Sequence, residues 1–491
     1  MSSLKNLVGQ TAVYGLSSII GRFLNYLLTP LYTYQFVSQE YGVVTEMYAY
    51  VAFLVVLLTY GMETAYFRFV SRHDDKNKVY STALIPLIVS SAIFMSLAMV
   101  FSKPIASAIS YPDYPEYVAW FAIIVGLDAI TAIPLARLRQ ENKARRFALV
   151  NLSSIALNIG LNLFFIAYCK VLFDRGESNY LVDTFYNPAV GVGYIFIANL
   201  VSSIFKVTLL SPSFFKLKFQ VDKALLKSMA LYAAPLLVVG LAGIANENLD
   251  RLLLKFMLLK DHSLEETMSQ VGIYGACYKV SILITLMVQA YRYAAEPFFF
   301  NQSESADSRK IYAKMLTYFV AACLVVFLAL MVNIDLVMLF VGEEYRSGAV
   351  IVPILLMANI FLGIYYNLSV WYKLTDKTSY GAFISLVGAG ITVTVNVVLI
   401  PRIGYIGSAW ATLACYLSMT LLSYFLGRKF YKIDYPILRI GMYFATAIGF
   451  YFAYSALSSD LGQSKLVIGN TALLLVLLAL AFLDRPKKII T

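Results

Sequence analysis

The sequence predicts an all-α polytopic membrane protein. Fourteen transmembrane helices form two pseudo-symmetric six-helix lobes around a central cavity, with a C-terminal helix pair. Three observations predict this. Of 491 residues, 60% are hydrophobic and 14% charged, against about 25% charged in soluble domains, and the mean hydropathy is +0.72. Apolar runs long enough to cross a bilayer, roughly 20 residues, recur along the whole chain with no room for a soluble domain between them. Lysine and arginine fall unevenly in the connecting loops, as the positive-inside rule requires.

The expected helices lie near 7–35, 43–67, 81–101, 117–136, 147–169, 188–210, 229–259, 270–300, 312–341, 348–372, 380–400, 404–427, 437–457 and 466–484. The first apolar stretch is too long for a signal peptide and has no small-residue cleavage site, so none is expected. With the N-terminus inside, the inner loops hold 26 Lys and Arg and the outer loops 7. Losing one helix would scramble that ratio, which supports the even count and puts both termini in the cytoplasm. The formal charge of +11 is therefore mainly a topology signal, and no nucleic-acid partner is expected. Cys169, Cys277, Cys323 and Cys415 are scattered, with no metal or disulfide spacing. His73 and His262 fall on opposite sides of the membrane, so they cannot share a site.

The chain repeats itself at about 233 residues. That shift lays Tyr41-Gly42 on Tyr274-Gly275, Tyr60 on Tyr293 and Glu63 on Glu296. Asn162 matches Asn396 one residue further on, and Gly193-Tyr194-Ile195 matches Gly404-Tyr405-Ile406 once the longer loop 170–187 is allowed for. Six helices per repeat give both halves one orientation, a plan transporters use with the substrate site between the halves. The expected lobes are 1–212 (helices 1–6) and 213–428 (helices 7–12), with helices 13 and 14 in 429–491. Chance similarity between apolar helices is the alternative, but the consistent order of the matches along the chain favours the repeat.

Polar residues inside these helices point to function, because an intramembrane charge costs roughly 2.5–3.5 kcal/mol on insertion scales. Helix 7 carries Asn246-Glu247-Asn248-Leu249-Asp250-Arg251 between apolar runs. A straight helix would put Asp250 near the outer interface, where an ordinary interfacial ion pair would also explain it, and a tilted or bent one would put it in the cavity. Helix 8 carries Tyr274, Tyr278, Ser281, Thr285, Gln289, Arg292 and Glu296 at three- and four-residue steps, one continuous stripe, with Lys279 beside it. The stripe should face a water-filled cavity or another helix, and Arg292 and Glu296 form an i,i+4 pair. Helix 1 carries Arg22, with Asn25 on nearly the same face. Glu63 is placed to pair with Arg68, and Asp128 reads as isolated. Each of these could instead be a structural pair or a polar seam. Pro235, Pro297 and Pro353 should interrupt helices 7, 8 and 10 as bends or hinges. No phosphate loop, GxSxG, HExxH or CxxC occurs, so no enzyme and no ATP motor is expected.

Three segments carry a resemblance. Tyr232-Ala233-Ala234-Pro235-Leu236 precedes Asn248-Leu249-Asp250-Arg251. Val271-Gly272-Ile273-Tyr274 leads through Tyr278-Lys279 and Gln289-Ala290-Tyr291-Arg292 to Glu296-Pro297-Phe298. Asn396-Val397-Val398-Leu399-Ile400-Pro401 precedes Gly404-Tyr405-Ile406-Gly407-Ser408-Ala409. In this order they resemble helices 7, 8 and 11–12 of the bacterial polysaccharide-repeat-unit (O-antigen/capsule) flippases. These belong to the multidrug/oligosaccharidyl-lipid/polysaccharide exporter superfamily, and the likeness spans essentially the whole chain.

The resemblance implies a flippase that moves undecaprenyl-diphosphate-linked oligosaccharides across the bacterial inner membrane by alternating access. Polysaccharide polymerases or glycosyltransferases would be its partners. A diphosphate calls for cations, for which Arg22, Arg251, Lys279 and Arg292 are candidates, and bidentate Arg is the better ligand. Asn25, Asn246, Asn248, Gln289 and the many tyrosines suit sugars. Glu247 and Asp250 could hold the cations. Glu63, Asp128 and Glu296 could balance charge or bind a coupling H⁺ or Na⁺, and no other cofactor is expected. A multidrug/cation antiporter of the same superfamily and a lipid-linked peptidoglycan precursor flippase are rivals. A non-transporting synthase scaffold is a third, though a scaffold has no need of a polar stripe. The candidate charges do not separate the rivals, with four cations (Arg22, Arg251, Lys279, Arg292) against five acids (Glu63, Asp128, Glu247, Asp250, Glu296).

Overall fold

Long apolar runs leave the backbone no partner except itself, and inside a bilayer a helix satisfies that demand within one segment. A computed structural model bears this out. It describes residues 15, 17, 19–177, 179–215, 220–302, 307–458 and 465–483, without the side chains of 293, 294, 296–298, 300–302 and 475–483. Among the described residues there are helices and no strands. The helices are α1 (Leu28–Gln35), α2 (Ser38–Val70), α3 (Lys76–Val100), α4 (Pro115–Gln140), α5 (Ala144–Asp174), α6 (Gly193–Phe214) and α7 (Lys223–Leu258). After them come α8 (Leu264–Gln302), α9 (Ser308–Val332), α10 (Glu343–Leu374), α11 (Thr378–Ile403), α12 (Tyr405–Phe430), α13 (Ile437–Ser458) and α14 (Lys465–Leu483). Among the described residues, 12 helices, α2 to α13, are long and apolar enough to cross a membrane. The expected helix 1 and helix 14 are described only in part.

Local chemistry sets the helix ends. Asp75 caps α3 by accepting from the Lys78 amide at 3.0 Å. Asp222 caps α7 through the Ala224 and Leu225 amides at 2.9 and 3.0 Å, and Pro115 opens α4 where no amide is needed. Pro353 does not interrupt helix 10 as expected. It sits in the first turn of the α-helical run Val352–Leu368, after a 3-10 stretch. Pro235 lies inside α7, which continues through it. The side chain of Pro297 lies outside the described residues. In α2 the break falls at Tyr60 and Gly61, both left-handed, with φ of 34° and 72°. Only glycine suits the second position, since a Cβ there would also stand 3.0 Å from the Ala233 carbonyl of α7.

The chain divides into two compact units. The first is Met1–Gly275 with Ala389–Ser408, and the second is Ala276–Gly388 with Ala409–Thr491. In the first, α4 packs on α2, α3 and α6, and α7 packs on α2 and α3. Its apolar core includes Met62, Tyr66, Leu84, Leu87, Ile133 and Met229. In the second, α9 packs on α10, α13 and α14.

Within the first unit, α2 crosses the start of α8 on a seam of small residues. A Cβ on Gly42 would overlap the Met268 carbonyl, and one on Gly272 would overlap the Ser38 carbonyl. Ser38 Oγ and Ser269 Oγ hydrogen-bond at 2.7 Å. Membrane helices approach this closely only where side chains are small.

Gly42→Ala or Gly272→Ala should therefore push the helices apart and cost about 1–3 kcal/mol, lowering the thermal midpoint in detergent. Gly160→Ala and Gly243→Ala, whose Cβ atoms meet nothing within 4 Å, should leave the midpoint unchanged or raise it. Lys78 pairs with Asp222 at 2.6 Å. With help from the Leu225 amide, it holds the carboxyl at about 2, below its usual range. Because the folded pKa is depressed, the contribution is complete above the ordinary carboxylate range and is lost as pH falls towards about 2. The stability gap between wild type and Asp222→Asn should be flat near neutrality and shrink only below about pH 4.

Candidate functional site

A buried polar cluster of the first unit lies where α2, α7, α8 and the 101–114 segment meet. Lys255 of α7 and Glu46 of α2 are both fully buried. Lys255 Nζ donates to Glu46 Oε1 at 2.8 Å, Glu46 Oε2 at 2.9 Å and the Ile109 carbonyl at 2.5 Å. That uses all three ammonium protons. The Tyr111 hydroxyl also donates to Glu46 Oε2, and it lies 3.7 Å from Met268 Sδ of α8. The ammonium sits 4.3 Å from the Tyr111 ring centre, a cation–π contact. Burial, then the Glu46 carboxylate, pushes the Tyr111 phenol well above its usual range, so the hydroxyl keeps its proton and remains a donor.

One turn back along α7 the polar patch continues. Asn246, Asp250 and Arg251 are buried and Glu247 is exposed. Tyr274 of α8 donates to Asp250 Oδ2, and the Arg251 amide donates to Asp250 Oδ1 at 2.8 Å. Arg251 Nη1 donates to the Glu247 carbonyl at 2.9 Å and to Asn248 Oδ1 at 2.7 Å. This places Asp250, Arg251 and Tyr274 in the same neighbourhood as the Glu46–Lys255 pair.

The helix 8 stripe grades from buried to open. Tyr274, Tyr278 and Ser281 are buried, whereas Lys279, Thr285, Gln289 and Arg292 are half-buried. Within the second unit, Asn359 Nδ2 donates to Ser281 Oγ at 3.2 Å and Tyr291 donates to Asn367 Oδ1 at 2.6 Å. The Arg292 guanidinium lies 5.0 Å from the Tyr366 ring centre. The expected Arg292–Glu296 pair cannot be followed, because the Glu296 side chain lies outside the described residues.

Two expectations are corrected. Asp128 is not isolated, since Lys206 of α6 reaches it at 3.0 Å and Ser203 at 3.5 Å. Glu63 pairs with Arg139 at 2.5 Å rather than with Arg68, whose guanidinium lies 4.2 Å from the Tyr232 ring centre. Arg22 and Asn25 are exposed on their helix, and Asn25 accepts from Asn158 at 3.4 Å. Glu46, Lys206 and Lys255 are not among the residues expected from sequence, where runs of polar residues give the signal. Each is a lone charge inside an apolar span, and single ionisable residues of opposite sign are the signal that would have found them.

Comparison with known proteins supplies the family. The chain matches the model of the family described as "Polysaccharide biosynthesis protein" over residues 7–303. No curated protein sequence matches it. Among solved structures it is similar to a lipid II flippase, MurJ, in an inward closed conformation, with a TM-score of 0.66 and 14% identity over 96% of this chain and 98% of that one. An inward-facing multidrug resistance MATE transporter of the MOP superfamily has a TM-score of 0.61 and 14% identity, covering 89% of this chain and 96% of its own. The MATE multidrug transporter DinF-BH has a TM-score of 0.61 and 17% identity, covering 87% and 96%. These likenesses show that the chain shares the fold of those structures. By the match over residues 7–303, the chain belongs to the polysaccharide biosynthesis protein family.

Proposed function

We propose that the protein is a flippase that carries undecaprenyl-diphosphate-linked oligosaccharide repeat units from the inner to the outer leaflet of the bacterial cytoplasmic membrane. It works by alternating access, with both termini in the cytoplasm. The observation that carries the transport reading is the seam of α2, α7 and α8. With the basic loops inside, this seam lies towards the outer face. There α2 and α8 touch through glycine backbone, the Ser38–Ser269 pair and a Gln39–Glu265 hydrogen bond, a contact that can part without tearing an interlocked apolar core. The internal repeat supplies the two bodies that alternating access requires. The lipid-linked glycan reading is supported by the family and by the helix 7, 8 and 11–12 motifs.

The arginines divide in role. Arg251 is buried and bonded to its own helix through Glu247 and Asn248, so it shapes α7. Arg292 is half-buried over Tyr366, open enough for its fork to meet a diphosphate. MATE likeness keeps a multidrug/cation antiporter as the second reading.

Purified protein in vesicles should move a fluorescent lipid-linked oligosaccharide. Export of lipophilic cations with no lipid flux would replace the flippase reading with the antiporter. Arg292→Ala should lower lipid flux on the order of tenfold or more, the worth of one charge-assisted contact, at unchanged abundance and thermal midpoint. Arg292→Lys should recover only part of it. Arg251→Ala should lower the thermal midpoint before it affects flux per folded molecule. Equal flux in wild type and Arg292→Ala would remove Arg292 from the substrate path.

A further inference from the structure

We propose that the basic end of the first unit binds the phosphate headgroup of an anionic phospholipid, through Arg72, His73 and Lys76 set beside an apolar wall of Phe67 and Val70. A cavity of about 600 Å³ opens there, where the last turns of α2 and α4 meet the start of α3. It lies at the level where the apolar spans give way to the polar loop 71–75. Phe67 is half-buried and Val70 is buried, whereas Arg72, His73 and Lys76 are exposed. The lining is thus apolar on one part and basic on another. A phospholipid offers the same two chemistries where its acyl chains meet its phosphate.

The cations of the cavity are uncommitted, whereas their neighbours are paired. Among the described residues, the Arg72 and Lys76 side chains make no hydrogen bond or ion pair. Around them Arg139 pairs with Glu63 at 2.5 Å, Arg137 with Glu141 at 2.6 Å and Lys78 with Asp222 at 2.6 Å. Asp75 is spent on the α3 cap through the Lys78 amide at 3.0 Å, which leaves Asp74 as the acid on the cavity wall. Over residues 63–78 and 137–146 there are nine Lys and Arg against four Asp and Glu, so the surrounding field also draws anions. The His73 ring stacks on Phe69 with centres 6.2 Å apart, and Phe69 meets Tyr232 of α7 edge-on at 6.3 Å. These contacts brace the basic part of the wall against packed helices.

The chemistry favours a lipid phosphate. An Arg fork takes two phosphate oxygens at once, and Lys adds a point charge. Each basic residue at an anionic leaflet is worth roughly a fivefold gain in binding, and the cavity directs that gain to one headgroup. Phe67 and Val70 offer an apolar surface to the glycerol backbone and the first acyl methylenes, which a free phosphate would leave wet. With the basic loops inside, the lipid belongs to the inner leaflet. That assignment rests on the proposed orientation, whereas the site itself depends on neither the orientation nor the carried substrate.

The test uses purified full-length protein in neutral detergent. It is titrated with water-soluble dihexanoyl phosphatidylglycerol, with dihexanoyl phosphatidylcholine and with inorganic phosphate, and binding is read from the rise in thermal midpoint. Phosphatidylglycerol should bind saturably and on the order of tenfold or more tightly than phosphatidylcholine, which carries no net charge. Arg72→Gln/Lys76→Gln should weaken phosphatidylglycerol binding about 30-fold, the product of two such basic contacts. Arg145→Gln/Arg146→Gln removes two cations from the start of α5 that do not line the cavity. It should change binding by less than about threefold, through screened attraction alone. All four side chains are exposed, so both variants should keep the wild-type midpoint when no lipid is added.

Equal weakening in the two variants would reduce the site to diffuse positive charge and overturn the proposal, and so would phosphatidylcholine binding as tightly as phosphatidylglycerol. Inorganic phosphate binding as tightly as phosphatidylglycerol would make this a site for a soluble anion and overturn the lipid assignment. A protein that passes this test but moves no lipid-linked oligosaccharide keeps the headgroup site and loses the proposed carried substrate.

Discussion

The Glu46–Lys255 pair expresses the constraint on which the rest of this structure depends. Inside an apolar protein in an apolar solvent, every charge must find its partners within the protein. Here that demand is met. Lys255 directs its three protons at two carboxylate oxygens and one carbonyl, and Glu46 takes a further bond from Tyr111. Those bonds fix where α2, α7 and the 101–114 segment lie against one another within the first unit. The Asp250–Tyr274 bond then ties α7 to α8, and the small-residue seam lets α2 and α8 touch.

The same rule orders the weaker polar sites. Lys206 answers Asp128 between α6 and α4. Arg139 answers Glu63 between α4 and α2. Tyr32 donates to Asn162 at 2.9 Å, beside the π-helical stretch Leu163–Lys170 of α5. Against these paired charges, the half-buried polar residues of α8, Thr285, Gln289 and Arg292, stand out as polar surface kept open. That contrast separates the part of α8 that holds the structure together from the part proposed to meet substrate.

Much of the architecture was legible because hydropathy is a local property. Each apolar run had to be a helix, and the described spans fall within about six residues of the expected ones for helices 2 to 13, except that helix 9 ends at Val332 and not at 341, where short separate helical pieces follow it. The stripe on helix 8 was legible because a 3.6-residue period maps sequence spacing directly onto a face. The patch at Asn246–Arg251 was legible because several polar residues adjoin. Pro353 misled because the same residue that breaks a helix interior also starts a helix, and spacing alone does not say which.

The sequence by itself determined the class of the protein, its membrane helices, the Lys/Arg asymmetry between its loops and the two polar stretches of α7 and α8, since all of these are read along one segment. Only the tertiary structure decided the pairings. Glu46 and Lys255 are 209 residues apart, Asp128 and Lys206 are 78 apart, and Gly42 meets Gly272 across a crossing of two helices. Each partner alone looks like an isolated cost in an apolar run. The free energy that makes it tolerable belongs to the contact, and a contact between distant residues exists only once the helices have packed.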